Sequence, residues 1–314
     1  MTDSITGLHH VTATVADHRA DLDFYTRVLG LRLVKRTVNF DNPHVYHFYY
    51  GDERGTPSSL MTTFPYAGQG VPVGTKGVGQ ITVTSFSVPP GSLEFWRDRL
   101  LKEGLEFARP RRRFEEEAML VEDPSGLNIE LREGHDDSRS PWISEHIDPA
   151  AAIRGLHGVT LLVRSAAPSV AFLTDQLGFT VRDRFDARTR MTTGVGTPGS
   201  YLEILESEHA PEAVNGLGTV HHVALSVPSD DEQRTIREEL RRRGRTVTEV
   251  RDRQYFRSIY FHEPGGVLYE IATEGPGFTT DEDPERLGRA LKLPPWEESN
   301  RAEIEAALPP IERG

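Results

Sequence analysis

Two pairs of adjacent histidines are the side chains of this sequence best suited to metal chemistry. His9-His10 and His221-His222 each open an apolar, alternating stretch that predicts a β-strand. Because neighbouring residues of a strand point to opposite faces, only one histidine of each pair can point squarely into a common cavity. The sequence therefore predicts a site that takes one imidazole from each pair.

Glu270 is the third candidate ligand. It lies in an otherwise apolar strand, VLYEIA from residue 267, where a carboxylate is costly unless it is paired or bound to a cation. Two imidazoles and one carboxylate with open coordination positions form the facial triad of non-haem Fe(II) oxygenases, although similar donors also hold catalytic zinc. The donor set alone leaves the choice of metal open.

Equivalent glutamates occur elsewhere in the chain without the histidine pairs. Glu130 and Glu203 occupy slots that match that of Glu270, but Gly158 stands where His10 would be. We therefore predict that these two glutamates bind no metal and meet Arg, Lys or backbone donors. The matching slot of the first repeat, within residues 60–63, offers neither His nor carboxylate, so three protein ligands are expected.

Most of the remaining histidines give weaker signals. His44 and His47 belong to an aromatic strand, where a hydrogen-bonded core histidine and a pocket-lining histidine fit the pattern equally well. Five others lie in polar surroundings and are predicted at the surface: His18, His135, His146, His209 and His262.

Repeated units must position these residues. GLHHVT from residue 7 matches GLHGVT from residue 155 at five of six positions, which indicates related halves. The periodicity of each unit predicts a strand, a helix and three further strands. In the last unit Ser229 and Glu232 form a predicted capping box, and residues 246–250 are predicted to form its second strand. The four units fall at residues 7–66, 78–133, 155–208 and 219–274.

Composition restricts the classes of function. The 314 residues suffice for about two domains, and the net charge of -12 disfavours nucleic-acid binding. The absence of Cys excludes disulfides and Cys-ligated metal sites. Since no stretch approaches about 18 consecutive apolar residues and no leader pattern is seen, we expect a soluble, cytoplasmic protein without a membrane partner.

Four such units, with a histidine opening one and a glutamate in a last strand, resemble the vicinal-oxygen-chelate superfamily. This superfamily includes glyoxalases, bleomycin-resistance proteins and type I extradiol dioxygenases. Its hydroquinone ring-cleaving dioxygenases look most similar, and the resemblance covers nearly the whole chain in order. The motifs that carry it are LHHVT from residue 8, VKRTVNFDNPHVYHFYYGDERGTPSSLMTTFP from residue 34, HHVALSVP from residue 221 and RQYFRSIYFHEPGGVLYEIATEGPGFTTDED from residue 253.

The resemblance implies a fold, a metal centre and a reaction. The fold would be α+β, with four βαβββ modules forming two barrel-like domains. His10, His222 and Glu270 would bind Fe(II), with Mn(II) as an alternative metal. The enzyme would open a hydroquinone-type or catechol-type aromatic ring with O2, so a small aromatic molecule and O2 are the expected partners.

The resemblance also implies roles for side chains around the metal. Tyr260 and Arg253 would hydrogen-bond the reacting oxygens. His9 and His221 would handle protons or orient O2, and Thr12 would line the pocket. For Arg253, which lies in a charged segment, a solvated salt bridge fits the sequence equally well.

The role of Tyr260 depends on the register of a hairpin. An even loop between the last two strands would place Ile259 opposite Glu270, whereas an odd loop pairs Tyr260 with Glu270 on one face. The role requires the odd register.

Two other classes of function stay open at this point. A glyoxalase-type isomerase or lyase needs no O2 and usually has a fourth protein ligand, which residues 60–63 do not supply. A resistance protein that only binds an aromatic drug would have no need of Glu270 beside two imidazoles. Both a monomer and a homo-oligomer are compatible with the sequence. The predicted divisions are an N-terminal pair of modules at 1–140, a C-terminal pair at 153–280 and a tail at 281–314.

Overall fold

Four β-α-β-β-β modules build the chain, as the repeats predict. The computed structural model describes residues 4–311. Modules one and two contain β1 (Gly7–Val15), α1 (His18–Asp23), β2 (Arg32–Asn39), β3 (Asn42–Gly51), β4 (Leu60–Pro65), β5 (Gln80–Val88), α2 (Leu93–Lys102), β6 (Arg111–Arg113), β7 (Glu116–Glu122) and β8 (Asn128–Glu133). Modules three and four contain β9 (Gly155–Val163), α3 (Ala166–Leu177), β10 (Thr180–Phe185), β11 (Arg188–Thr192), β12 (Tyr201–Glu206), β13 (Thr219–Val227), α4 (Asp230–Arg242), β14 (Arg251–Asp252), β15 (Arg257–His262) and β16 (Leu268–Thr273).

The modules combine into two eight-stranded sheets, one from modules one and four and one from modules two and three. The strand orders are β14-β15-β16-β13-β1-β4-β3-β2 and β10-β11-β12-β9-β5-β8-β7-β6. Antiparallel pairs β1–β13 and β5–β9 join the modules at the centre of each sheet. Each half of the chain therefore gives one module to each sheet, and the division at residues 140 and 153 stays a prediction about folding units.

A β-bulge interrupts the central ladder at each histidine pair. Between β1 and β13 the register passes from Leu8 to His10 and from His222 to Val220, so His9 and His221 are the extra residues. A bulge places two residues opposite one and turns the side chains away from strict alternation. The second sheet has register shifts at the equivalent points of β5 and β9, so the bulges belong to the fold rather than to the metal site.

The fourth module confirms one sequence prediction and corrects another. Ser229 caps α4, since its hydroxyl accepts from the backbone N–H groups of Asp231 and Glu232. The strand predicted at 246–250 is wrong, because β14 comprises only Arg251–Asp252. The hydroxyl of Thr248 accepts from the backbone N–H of Tyr260 at 3.0 Å, and a side chain thus takes the place of the backbone carbonyl in the ladder.

The C-terminal segment lies against the first module and ends in α5 (Arg301–Ala307). The ammonium group of Lys35, fully buried in β2, lies 2.6 Å from Oδ1 of Asp281 and 2.5 Å from Oε2 of Glu282. His18, predicted at the surface, is buried because Pro310 covers it, with 3.3 Å between Nε2 and the proline carbonyl. Within residues 4–311 no helix is long and apolar enough to cross a membrane.

Candidate metal centre and its cavity

The structure brings the three predicted ligands together at the centre of the first sheet. His10 lies on β1, His222 on the adjacent β13, and Glu270 on β16, which runs parallel to β13. Nε2 of His10 lies 3.3 Å from Nε2 of His222, and Oε2 of Glu270 lies 3.5 Å and 2.8 Å from these two nitrogens. All three side chains are buried. Among the described residues, this is the one group of three potential ligands whose donor atoms converge.

The donor atoms fit a metal ion. Ligands at right angles, each about 2.1 Å from one metal, lie about 3 Å from one another, close to the three observed separations. Oε2 of Glu270 is buried and, among the residues that the structure describes, has only the two ligand imidazoles near it, while Ser258 donates to Oε1 and fixes the carboxylate. Burial favours the neutral carboxyl, but His10 and His222 outweigh it and hold the pKa of Glu270 well below its usual range. The carboxylate is thus ionised and ready to bind a cation.

The adjacent histidines determine which ring nitrogen faces the metal position. Nδ1 of His10 lies 2.9 Å from Nδ1 of His9, and Nδ1 of His222 lies 2.8 Å from Nδ1 of His221. If Nε2 of each ligand binds a metal, its Nδ1 carries the proton and donates to the neighbouring histidine. The bulges allow these contacts, since neighbouring side chains of a regular strand would diverge.

The two neighbouring histidines differ in exposure. Burial, with repulsion from His10 in the same direction, lowers the pKa of His9 to about 3, so its imidazole is neutral. His9 also hydrogen-bonds the backbone of Thr273 and does not line the cavity. His221 is exposed and does line it. His9 is therefore placed to orient His10, whereas His221 can reach a bound molecule.

A cavity of about 270 Å³ opens beside the triad. Thr12, Tyr260 and Arg253 line it, together with residues to which the sequence analysis assigned no role. Among the described lining residues none belongs to the segment after residue 270. The aromatic and polar residues added by the structure are Asn39, Phe40, Asp41, His47, Tyr49, Phe64, Tyr66 and Phe256.

Tyr260 faces the cavity because the hairpin has the odd register. Tyr260 pairs with Glu270, and His262 pairs with Leu268. The Tyr260 ring lies 5.7 Å from the ring of His222, at nearly a right angle. Burial, reinforced by the charge of Glu270, raises the pKa of Tyr260 above its usual range, so the phenol stays protonated.

Arg253 makes the salt bridge that the sequence left open, and it also hydrogen-bonds Tyr260. Its Nε donates to the Tyr260 hydroxyl oxygen at 3.1 Å, and its Nη2 donates to Oδ2 of Asp41 at 3.0 Å. Asp41 lies at the turn between β2 and β3, across the mouth of the cavity. It was missed because its partner lies 212 residues away in the sequence.

Thr62 occupies the slot of module one that matches Glu270. It pairs with Thr12 on β1 as Glu270 pairs with Ala224 on β13. Its hydroxyl lies 2.8 Å from that of Thr12 and 3.0 Å from Nε2 of His47. Thr62 therefore supplies no carboxylate to the metal position, and a site of three protein ligands stays a prediction.

The equivalent place in the second sheet is filled by arginine. Glu130 accepts from Arg132 at 2.7 Å and from Ser85 at 2.8 Å, and Glu203 accepts from Arg132 at 2.7 Å and from Arg190 at 3.1 Å. Arg132 is fully buried. The prediction that these glutamates meet cationic donors is confirmed, and a guanidinium group lies between them.

Comparisons with known proteins agree with this architecture. The sequence profile of the Glyoxalase/Bleomycin resistance protein/Dioxygenase superfamily matches residues 7–131 and 155–271. "Putative ring-cleaving dioxygenase MhqE" of Bacillus subtilis is 40% identical over 307 residues, which cover 97% of this chain and 99% of that protein. Chlorohydroquinone/hydroquinone 1,2-dioxygenase of Sphingobium indicum is 33% identical over 308 residues, covering 96% and 95% of the two chains.

Solved structures show the same fold. A crystal structure from Bacillus subtilis has a TM-score of 0.94 at 38% identity and covers 99% of both chains. Glyoxalase I from Zea mays has a TM-score of 0.63 at 15% identity over 85% of this chain and 92% of that one. This chain belongs to the glyoxalase/bleomycin resistance protein/dioxygenase superfamily. It has the α+β fold of that superfamily, the vicinal oxygen chelate fold.

Proposed function

We propose that this protein is a non-haem iron dioxygenase that opens a hydroquinone-type or catechol-type ring with O2. The observation that carries the proposal is the buried triad of His10, His222 and Glu270 beside an aromatic-lined cavity. Full-length similarity to proteins named as ring-cleaving dioxygenases supports an oxidoreductase. Fe(II) is the proposed metal, with Mn(II) as the alternative.

The three ligands would hold the metal on one side and leave its other side open to the cavity. Bound Fe(II) would supply the coordination positions and the electron transfer between ring and O2 that ring cleavage requires. His9 and His221 would keep Nε2 of each ligand histidine directed at the metal by accepting the proton of its Nδ1.

Tyr260 and Arg253 form the hydrogen-bonding side of the proposed active site. Arg253 donates to the phenol oxygen, so this contact does not use the hydroxyl proton of Tyr260, which would point at a substrate oxygen in the cavity. Since Tyr260 is protonated at neutral pH, it acts as a donor to negative charge that grows on that oxygen.

His221 is the candidate for proton transfer at the cavity. In the tautomer described above its Nδ1 accepts from His222, so its other nitrogen carries a proton. Because this residue is exposed and lines the cavity, that N–H can reach O2, substrate or water. His9 lacks this access, and its proposed role is limited to orienting His10.

The cavity limits the size of the substrate. Its volume of about 270 Å³ is near the lower end for small-molecule sites and suits a single aromatic ring. Phe40, Tyr49, Phe64 and Phe256 provide apolar walls for such a ring. Thr12 also lines the cavity and is fixed by its hydrogen bond with Thr62.

Oxygen uptake after anaerobic loading with Fe(II) tests the proposal. The panel contains hydroquinones, catechols and thiol–aldehyde adducts. We expect iron-dependent O2 uptake with a dihydroxybenzene. Turnover of the adducts without O2 would instead establish a glyoxalase-type isomerase, and tight binding of an aromatic compound without any turnover would establish a sequestering protein.

A further inference from the structure

Module one repeats the side-chain arrangement that fixes Glu270 in module four. Tyr260 is the strand partner of Glu270. Ser258 lies two residues before Tyr260 and donates to the carboxylate of Glu270. In module one Tyr49 is the strand partner of Thr62, so His47 holds the position equivalent to Ser258. Its longer side chain likewise reaches the matching slot, where Nε2 lies 3.0 Å from the Thr62 hydroxyl.

This equivalence places His47 on the opposite side of the triad from Tyr260. In the strand order, β15 lies two strands from β13 and β3 lies two strands from β1, in opposite directions. His47 and Tyr260 both line the cavity. The metal ligands on β1 and β13 therefore lie between a tyrosine on one side and a histidine on the other.

The His47 ring is held rigidly but keeps one nitrogen without a protein partner. Its centroid lies 4.1 Å from that of Tyr49 and 4.2 Å from that of Phe64, and Nε2 is taken by Thr62. Among the described residues none hydrogen-bonds Nδ1. Burial lowers the pKa of His47 well below its usual value, so the ring is neutral and has one donor and one acceptor nitrogen.

We infer that Nδ1 of His47 hydrogen-bonds the hydroxyl of a hydroquinone that the metal does not hold. This inference rests on the proposed function. The two hydroxyls of a hydroquinone lie at opposite ends of the ring, so one of them must meet the cavity wall away from the metal. Those of a catechol are adjacent, and both would lie near the metal. His47 would therefore make this site selective for 1,4-dihydroxy rings, because a buried polar group left unpaired disfavours the wrong ligand.

Two substitutions separate the two nitrogens of His47. The polar atoms of Asn are bonded to Cγ, as Nδ1 is in histidine. Those of Gln are bonded to Cδ, one atom further along the side chain, and can take the place of Nε2. His47→Asn thus keeps a polar atom for the ligand, and His47→Gln keeps the contact with Thr62. Binding of hydroquinone, catechol and phenol is measured by calorimetry with the Fe(II)-loaded protein under anaerobic conditions, together with iron content and melting temperature.

We expect His47→Gln to weaken hydroquinone binding by roughly 10- to 100-fold while phenol and catechol binding change little. His47→Asn should retain most of the preference for hydroquinone. An unchanged preference in His47→Gln would overturn the inference and leave the proposed function intact. Loss of iron or of folding in both variants would assign His47 a structural role and also overturn it. If the wild type bound no dihydroxybenzene, the proposed function itself would fail.

Discussion

Each of the two candidate ligand histidines is coupled to the histidine beside it through an Nδ1–Nδ1 contact of 2.8–2.9 Å. This coupling explains why each ligand histidine has a second histidine beside it in the sequence. The bulged residue turns toward its neighbour and fixes the ring that faces the metal. Adjacent histidines would otherwise diverge on a strand, and the ligand tautomer would be unspecified.

Removing one imidazole tests the ligand assignment. In His222→Ala we expect iron content near zero by elemental analysis, because two remaining donors cannot hold the ion in competition with water. Glu203→Gln is the matched control, since this glutamate lies in the equivalent slot of the other sheet and meets arginine. Full iron occupancy in His222→Ala, or equal loss in Glu203→Gln, would contradict the assignment.

The hydroxyl of Tyr260 is the second side-chain group whose removal tests the proposed active site. Tyr260→Phe keeps the ring against His222 and removes the hydroxyl, which is the donor to the cavity and the acceptor for Arg253. Since Arg253 keeps its contact with Asp41, iron content and melting temperature should stay close to those of the wild type. If the hydroxyl donates to charge that grows in the transition state, kcat should fall roughly 10- to 1000-fold. Wild-type turnover in stopped-flow assays would remove Tyr260 from the mechanism.

At the scale of elements, a buried carboxylate links α1 to two strands. Oδ2 of Asp21 accepts from the hydroxyls of Tyr50 on β3 and Thr63 on β4, each at 2.6 Å. Burial raises the pKa of Asp21 to about 7 despite these hydrogen bonds. Between about pH 4 and pH 7 the native protein keeps a proton that the unfolded chain has lost, so stability falls as pH rises.

Asp21→Asn should flatten this dependence. At pH 8 we expect its free energy of unfolding to exceed that of the wild type by on the order of 2 to 4 kcal/mol, and the difference should vanish near pH 4. Asp123, whose pKa burial raises to about 6, leaves a residual slope of the same sign. Denaturant titrations from pH 4 to pH 8 measure the effect. Asp23→Asn, on the exposed side of the same helix, is the control, and a parallel pH profile for Asp21→Asn and wild type would refute the account.

The turn between β2 and β3 reaches across the cavity mouth to β14 and the loop after it. Asp41 accepts from Arg253, and its other oxygen lies 3.4 Å from Arg251. Asp41→Asn should leave stability nearly unchanged, since exposed ion pairs contribute little. We expect the KM for the aromatic substrate to rise about fivefold, because Arg253 loses the partner that holds it beside Tyr260. Arg251→Gln removes the outer contact with Asp41 and a guanidinium 5.8 Å from the centre of the Tyr260 ring, but it leaves the hydrogen bond between Arg253 and Tyr260 in place. It should therefore have the smaller effect on KM, and equal effects of both substitutions would contradict a role through Arg253.

At the scale of the whole molecule, the sequence predicts the framework better than the cavity wall. His10, His222 and Glu270 could be found because their residue types recur at equivalent points of a visible repeat, and ligands from modules one and four require a shared sheet. His47 carried no such signal, since a single histidine in an aromatic strand also fits the core. The strand at 246–250 was misplaced because Thr248 pairs with Tyr260 through its backbone N–H and its hydroxyl, while its carbonyl accepts from Arg237 instead of from the neighbouring strand. His18 was misplaced because its cover lies 292 residues further along the chain.

The side chains at the centre of each sheet explain why one sheet carries the candidate metal site and the other does not. Both sheets keep the central bulges and the glutamate slots, but Arg132 occupies the second site as a built-in cation between Glu130 and Glu203. A fold that places carboxylates at its centre needs a positive partner in each copy. The proposed iron would supply the positive charge in the first sheet, and Arg132 supplies it in the second.

Isotope incorporation from oxygen gas tests the central claim most directly. The Fe(II)-loaded protein is supplied with hydroquinone under 18O2, and the product is analysed by mass spectrometry immediately after turnover. Ring cleavage by a dioxygenase predicts an open-chain product in which both atoms of one O2 molecule are found, with none formed after the iron is removed by a chelator. A product without labelled oxygen, or equal turnover under nitrogen, would contradict the account.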